Sequence, residues 1–304
     1  MMCQPVDSGR LGIRKDGLMA LVEELRWRDA TPGARLEMVV LAVGDAGCVA
    51  VDIASGAYVR PRWPVKGSYD PSISDLVRTG SIRPGPKRRS PRARHPASGS
   101  DAPAPHLPAS SKEALAGLVP SEEAQGGGAI QHSLEPLQIV TGVLADTQED
   151  VLDPSRPEAV ILDGLPSVTK GRHTRLLRRV LRDCVTPPGQ ALLGFPAPAK
   201  AFWDLDGSRG SLALVEVRGG PVLLRRPGEE GLVRARFSWG GAFHELPVLD
   251  PALVVASHGT RKAELSGGSL HKRLGWWPRY LVVALTGPRD GYCYRVVASA
   301  LPYP

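Results

Sequence analysis

The chain has 304 residues, a net charge of +7, 42% hydrophobic and only 5% aromatic residues; that length is enough for two cores. Its 34 glycines and 29 prolines make about a fifth of the sequence, well above average usage, so folded parts are expected beside an unfolded insert. The four cysteines are far apart with no C-x-x-C, which argues against a zinc or disulfide framework, and no apolar run approaches the ~18 residues that span a membrane.

Residues 1–35 read as a loose N-terminus. Within it, Leu18, Leu21, Val22 and Leu25 recur at helical spacing between Asp16 and Arg28. A first β-rich unit is expected over 36–150. Leu36 to Val43, Cys48 to Ile53 and Ala57 to Arg62 are apolar runs separated by Gly44-Asp45-Ala46-Gly47 and Ala54-Ser55-Gly56, the pattern of a β-meander. After Trp63-Pro64 the composition changes. Residues 78–110 hold almost no apolar side chain, and the run from Arg83 to Arg94 is arginine, lysine, proline and little else. Such a segment buries too little surface to offset its ordering entropy, so a disordered basic insert is expected over about 78–133. Within that span, Ser110 and Glu113 are spaced as a capping box before Leu118. Order is expected to resume in a strand at Leu137 to Ala145.

Residues 151–190 read as a helical connector. Leu176, Leu177, Val180 and Leu181 form one stripe of a helix over Arg172 to Asp183. Arg172, Arg175, Arg179 and Arg182 share another face, with no carboxylate between residues 171 and 182. Residues 191–304 read as a second β-rich unit built from hairpins. One is expected around Gly219-Gly220, from Leu212 to Arg226. The most sharply specified surrounds Gly240-Gly241, a dipeptide suited to a two-residue turn. That turn pairs Trp239 with Ala242, Phe237 with His244, Ala235 with Leu246 and Val233 with Val248, leaving Phe237 and Trp239 in the core. It also sets Arg236 opposite Glu245. Asp250-Pro251 closes this hairpin, Ser257 to Arg273 reads as a polar, basic loop, and a third hairpin joins Tyr280–Leu285 to Tyr292–Leu301. Trp276 and Trp277 cannot both point inward from an extended segment. The fold class expected is mainly β, with two small OB-like barrels joined by short helices.

Three stretches resemble the dual OB-containing domain family of prokaryotes. They are Gly47-Cys48-Val49-Ala50 with Asp52, Gly56 and Val59-Arg60-Pro61; Leu246-Pro247-Val248-Leu249-Asp250-Pro251; and Tyr280-Leu281, Gly287-Pro288 and Gly291-Tyr292-Cys293-Tyr294-Arg295 with Val297-Ala298. The match covers both ends of 36–304 and little of the middle. The basic insert and the helical N-terminus depart from the family pattern. The resemblance implies two OB-type barrels and a nucleic-acid or nucleotide-binding role, often in defence or conflict systems, and carries over no catalytic residue.

The residue pattern points to anion recognition. Arginines with interleaved aromatics suit a single strand, the guanidiniums holding phosphates and the rings stacking bases. On that basis Arg60, Arg62, Trp63, Arg172, Arg175, Arg179, Arg182, Arg234, Arg236, Trp277 and Tyr294 are the candidate nucleic-acid-binding residues. The competing reading makes the arginine face the wet side of an amphipathic helix and the run at 83–94 a solvated linker. The seven histidines show no metal spacing, and Asp204-Leu205-Asp206 before a glycine reads as a turn. There is no Walker A loop, dinucleotide fingerprint or nucleophile elbow. The expectation is a cytoplasmic, non-enzymatic nucleic-acid-binding module with no cofactor and no membrane association. A nucleotide or modified-base sensor or enzyme with a pocket between barrels, and a scaffold for a protein partner in a defence system, stay open as alternatives.

Overall fold

The computed structural model describes residues 31–44, 47–63, 134–146, 153–169, 173–189, 191–226, 229, 231–258 and 263–304. The expected N-terminal helix, the basic insert, the capping box at Ser110 and Arg172 lie outside the described residues. The chain is mainly β with few helices, as the repeated strand-turn-strand units predicted.

Five strands close a barrel: β1 (Arg35–Gly44), β2 (Gly47–Asp52), β3 (Tyr58–Arg62), β4 (Ile139–Leu144) and β5 (Ala159–Val168). Their order around the barrel is β1-β2-β3-β5-β4, with β1 and β4 antiparallel and β3 and β5 parallel. The barrel takes its fifth strand, β5, from within 151–190, the stretch that reads as a helical connector. Leu36, Met38 and Val40 point into the barrel with Val59, Trp63, Val140, Val160 and Leu162. Val39 and Leu41 point the opposite way, the period-2 consequence of a strand buried on both faces. That is why β1 reads as a continuous apolar run.

The helix α1 (Thr174–Cys184) follows the barrel. Val180 and Leu181 are buried and Leu176 and Leu177 half-buried against the outer side of the barrel. Eight further strands complete the fold: β6 (Ala199–Ala201), β7 (Leu212–Glu216), β8 (Val222–Arg225), β9 (Val233–Trp239), β10 (Ala242–Pro247), β11 (Glu264–Leu265), β12 (Tyr280–Leu285) and β13 (Tyr292–Leu301). They form two four-stranded sheets, β6-β13-β12-β7 and β10-β9-β8-β11, which meet at a parallel bridge between Val248 and Val297.

The β7-β12-β13 sheet is apolar on both sides. Leu212, Leu214, Tyr280, Val282, Ala284, Tyr294 and Val296 join the core shared with the first barrel and α1. Ala213, Val215, Leu281, Val283 and Val297 join the core shared with β8, β9 and β10. Fully burying one valine or leucine contributes about 1.5–3 kcal/mol, so this doubly covered sheet is the main adhesive of the molecule.

The β9–β10 hairpin has the predicted register: Trp239 opposite Ala242, Phe237 opposite His244, Ala235 opposite Leu246 and Arg236 opposite Glu245. Gly240 and Gly241 both take positive φ, 60° and 79°, as a two-residue hairpin turn of this kind requires. Two expectations are corrected. The turn at Gly219-Gly220 forms, but its flanking strands separate: β7 pairs with β12, and β8 with β9 and β11. The turn carries the chain from one sheet to the other. The stretch 257–273 is not a loop throughout, because α2 (Pro251–Ser257) precedes it and α3 (Gly267–Leu274) occupies its second half. Leu270 anchors α3 in the core, and a glycine pair at its start hid the helical pattern. Asp250 caps α2, accepting from the amides of Ala252 at 2.7 Å and Leu253 at 3.1 Å; its other carboxylate oxygen accepts from Ala300 of β13 at 2.6 Å.

Candidate functional site

Helix α1 lies with its apolar stripe on the barrel and its arginines outward. Its C-terminal carbonyl at Cys184 accepts the hydroxyl of Tyr58 at 2.8 Å, while the same hydroxyl accepts the amide of Leu214 at 2.9 Å. One β3 side chain thus fixes both α1 and β7, and burial pushes the pKa of its phenol up. The N-terminus of α1 has no side-chain cap and no acid in its first turn. Its partial positive charge therefore adds to that of the arginines.

Arg175, Arg178, Arg179 and Arg182 line a groove of about 560 Å³, closed on the other side by Arg279, Glu216, Tyr280 and Tyr303. Five guanidiniums face this space with one carboxylate, and Glu216 is committed to Arg279 at 2.6 Å. Arg178 lies over the ring of Tyr303 at 5.0 Å and donates to the carbonyl of Pro304. Arg182 meets Asp183 at 3.2 Å, an exposed pair of little energetic weight. Among the described residues Arg175 and Arg179 have no carboxylate partner within ion-pair distance. From Arg175 to Arg182 the row is about 10 Å long at the helical rise.

The other candidates separate from this groove. Arg60 is 3% exposed. Its guanidinium donates to the hydroxyl of Ser211 at 3.1 Å and to the carbonyl of Leu285 at 3.2 Å, and lies 3.9 Å from the Glu158 carboxylate. Glu158 in turn accepts the Ser211 hydroxyl at 2.7 Å. Burial lowers the pKa of Arg60 to about 10, opposed by the charge of Glu158. Arg60 is therefore an internal tie between the barrel and the central sheet and is out of reach of a polymer. Trp63 fills the barrel interior and Tyr294 the shared core, so neither offers a ring to solvent. Arg62 ends β3 half-buried, opposite Ile161. Arg234 is held by Glu229 at 2.8 Å and Arg236 by Glu264 at 3.1 Å, while Glu245, opposite Arg236, takes Arg226 at 2.6 Å. These acids neutralise the basic face of β9. Trp277 remains exposed, whereas Trp276 packs on the second core.

The groove therefore unites Arg175, Arg179 and Arg182 with three residues the sequence reading left aside: Arg178, Arg279 and Tyr303. Arg178 was legible at i+3 from Arg175. Arg279 and Tyr303 reach the groove only through the packing of β12 and β13 beside α1, for which the sequence holds no local signal. Asp204 and Asp206 stand in a turn; Asp206 accepts the amide of Ser208 at 2.8 Å and its hydroxyl at 2.6 Å. Among the described residues no group of three or more His, Cys, Asp or Glu side chains is arranged to hold a metal ion. Comparison with protein-family models, with curated proteins and with solved structures finds no match to the chain.

Proposed function

We propose that the chain is a non-enzymatic module of the cytoplasm that binds single-stranded nucleic acid, and that it does so along the arginine row of α1. The observation that carries this reading is the convergence of five guanidiniums on one groove whose single carboxylate is already paired. A cationic row paired only at its Arg182 end, beside an uncapped helix N-terminus, favours an anion that brings several charges at once. Arginine suits this role because its planar fork grips phosphate oxygens in pairs.

The order β1-β2-β3-β5-β4 with parallel β3 and β5 agrees with a five-stranded Greek-key barrel of OB type; membership of the dual OB-containing domain family and a place in a prokaryotic defence system are part of the same proposal and rest on the sequence resemblance. An OB barrel ordinarily offers the face of its second and third strands to an oligonucleotide. Here Val49, Val51 and Tyr58 of that region are packed into the core shared with α1 and the central sheet. The recognition surface is accordingly displaced from the barrel onto the outer side of the helix that covers it. The cavity between Pro154, Leu193 and Leu285 holds about 10 Å³, too little for a nucleotide, so a small-nucleotide sensor would have to use the same arginine groove of about 560 Å³.

Filter binding of the full chain to single-stranded and duplex DNA and RNA at two salt concentrations tests the reading. The expected result is preference for a single strand, with log K falling on log salt with a slope of about −2 to −3, as three or four neutralised phosphates imply. Arg175→Glu/Arg179→Glu is expected to lose at least about tenfold in affinity. Equal and poor binding of the wild type and this variant at low salt would overturn it.

A further inference from the structure

We propose that Trp277 is a stacking platform for a base of the bound strand, next to the phosphate-holding groove; this rests on the reading above. Trp277 is 49% exposed, although the segment around it is firmly built. The preceding Trp276 packs on the second core, and the following Pro278 is buried with its ring 3.5 Å from the Cβ position of Gly220. Gly275, in the left-handed conformation, ends α3 and donates its amide to His271 at 2.8 Å. The imidazole of His271 lies flat against the indole, with ring centroids 4.9 Å apart and planes 7° from parallel. One side of Trp277 is therefore covered and its attitude is set before any ligand arrives. A rigid aromatic of this kind loses little entropy when a second ring settles on it.

Position and charge indicate which ring. The Cα of Trp277 lies at most about 7 Å along the chain from that of Arg279, a groove residue, so the indole stands beside the groove's lining and not within it. From His271 to Arg279 the chain carries Lys272, Arg273 and Arg279 and no acidic residue. An aromatic group attached to a phosphate satisfies both features; an uncharged aromatic would make no use of Arg175 and Arg179, the groove arginines that have no carboxylate partner among the described residues. A base in a duplex has both faces occupied, so the platform selects unpaired bases.

The test is fluorescence polarisation with the full-length protein, a labelled single strand, the same strand with abasic sites, and the duplex. The abasic strand keeps every phosphate and loses the rings. The expected result is about tenfold tighter binding to the base-bearing strand. Trp277→Ala is expected to abolish that difference while leaving affinity for the abasic strand and its salt slope intact, and Trp277→Phe to keep most of it. Equal wild-type affinity for abasic and base-bearing strands would overturn the stacking role while sparing the arginine groove. So would a Trp277→Ala loss that is equal on both strands. Binding to none of the three probes would overturn both proposals together. Circular dichroism and a melting curve for each variant separate a lost platform from a lost fold.

Discussion

The guanidinium of Arg60 donates to the hydroxyl of Ser211 at 3.1 Å, across 151 residues of sequence, and so links the middle of β3 to the residue that leads into β7. Arg60 is buried with Glu158, and removing one member of a buried charged pair costs about 3–5 kcal/mol because the other is stranded. Arg60→Met is expected to lower the unfolding free energy from denaturant titration by that order without altering strand affinity per folded molecule. Adding Glu158→Gln is expected to recover part of the loss. A variant as stable as wild type that binds more weakly would return Arg60 to the surface.

Asp250 joins three backbone amides, two at the start of α2 and one from β13. Burial pushes its pKa up, and those amides pull it back. Asp250→Ala removes a helix cap and leaves the buried Ala300 amide without its acceptor, a loss of about 2–3 kcal/mol. Asp250→Asn keeps acceptors for α2 but turns a donor toward Ala300, so its unfolding free energy is expected to fall between the two. Urea titration of all three proteins checks the order.

His244 stacks on Phe237 with centroids 5.5 Å apart, and burial, then the charge of Arg295, lowers its pKa from 6.5. The unfolded chain takes up this proton near pH 6.5 and the folded chain only at lower pH, so acidification favours unfolding. The histidine's contribution is whole above that value and is lost as pH falls below it. His244→Gln is expected to reduce the drop in urea midpoint between about pH 7.5 and about pH 5.5. An unchanged drop would mean that the imidazole titrates normally.

Cys48, Cys184 and Cys293 have pKa values pushed up to about 12, in each case chiefly by burial. Thiolate is the reactive form, so none of the three is expected to take up maleimide in the native protein at neutral pH. All three are expected to react once denaturant is added. Peptide mapping by mass spectrometry reads this directly, and labelling of Cys184 ahead of global unfolding would show α1 detaching first.

How far these features could be read from the sequence depends on the range of the interaction. The β9–β10 register was legible because a two-residue glycine turn leaves the strands no choice of partner. The body of α1 was legible from its leucine and valine spacing. The turn at Gly219-Gly220 misled because both glycines take left-handed φ, 82° and 77°, as in a hairpin, yet the burial of Leu214 and Leu223 in different cores parts the strands. Asp250-Pro251 carries a readable cap and a proline at the first helical position, but the hairpin before it and the polar stretch after it mask the short helix between them. Arg60 and Tyr294 lay in arginine- and aromatic-rich surroundings that resemble a binding surface. Their burial depends on Ser211, Leu285 and the shared core, which no local pattern announces.

Neither half of the polypeptide owns the β7-β12-β13 wall. Severing the chain between Val168 and Leu212 would bare an oily plane on one fragment and uncover the barrel's flank on the other. Calorimetry of the intact protein is therefore expected to record a single melting peak, and the two fragments produced separately to precipitate. Swapping one half for a foreign one would then have to carry the matching wall with it.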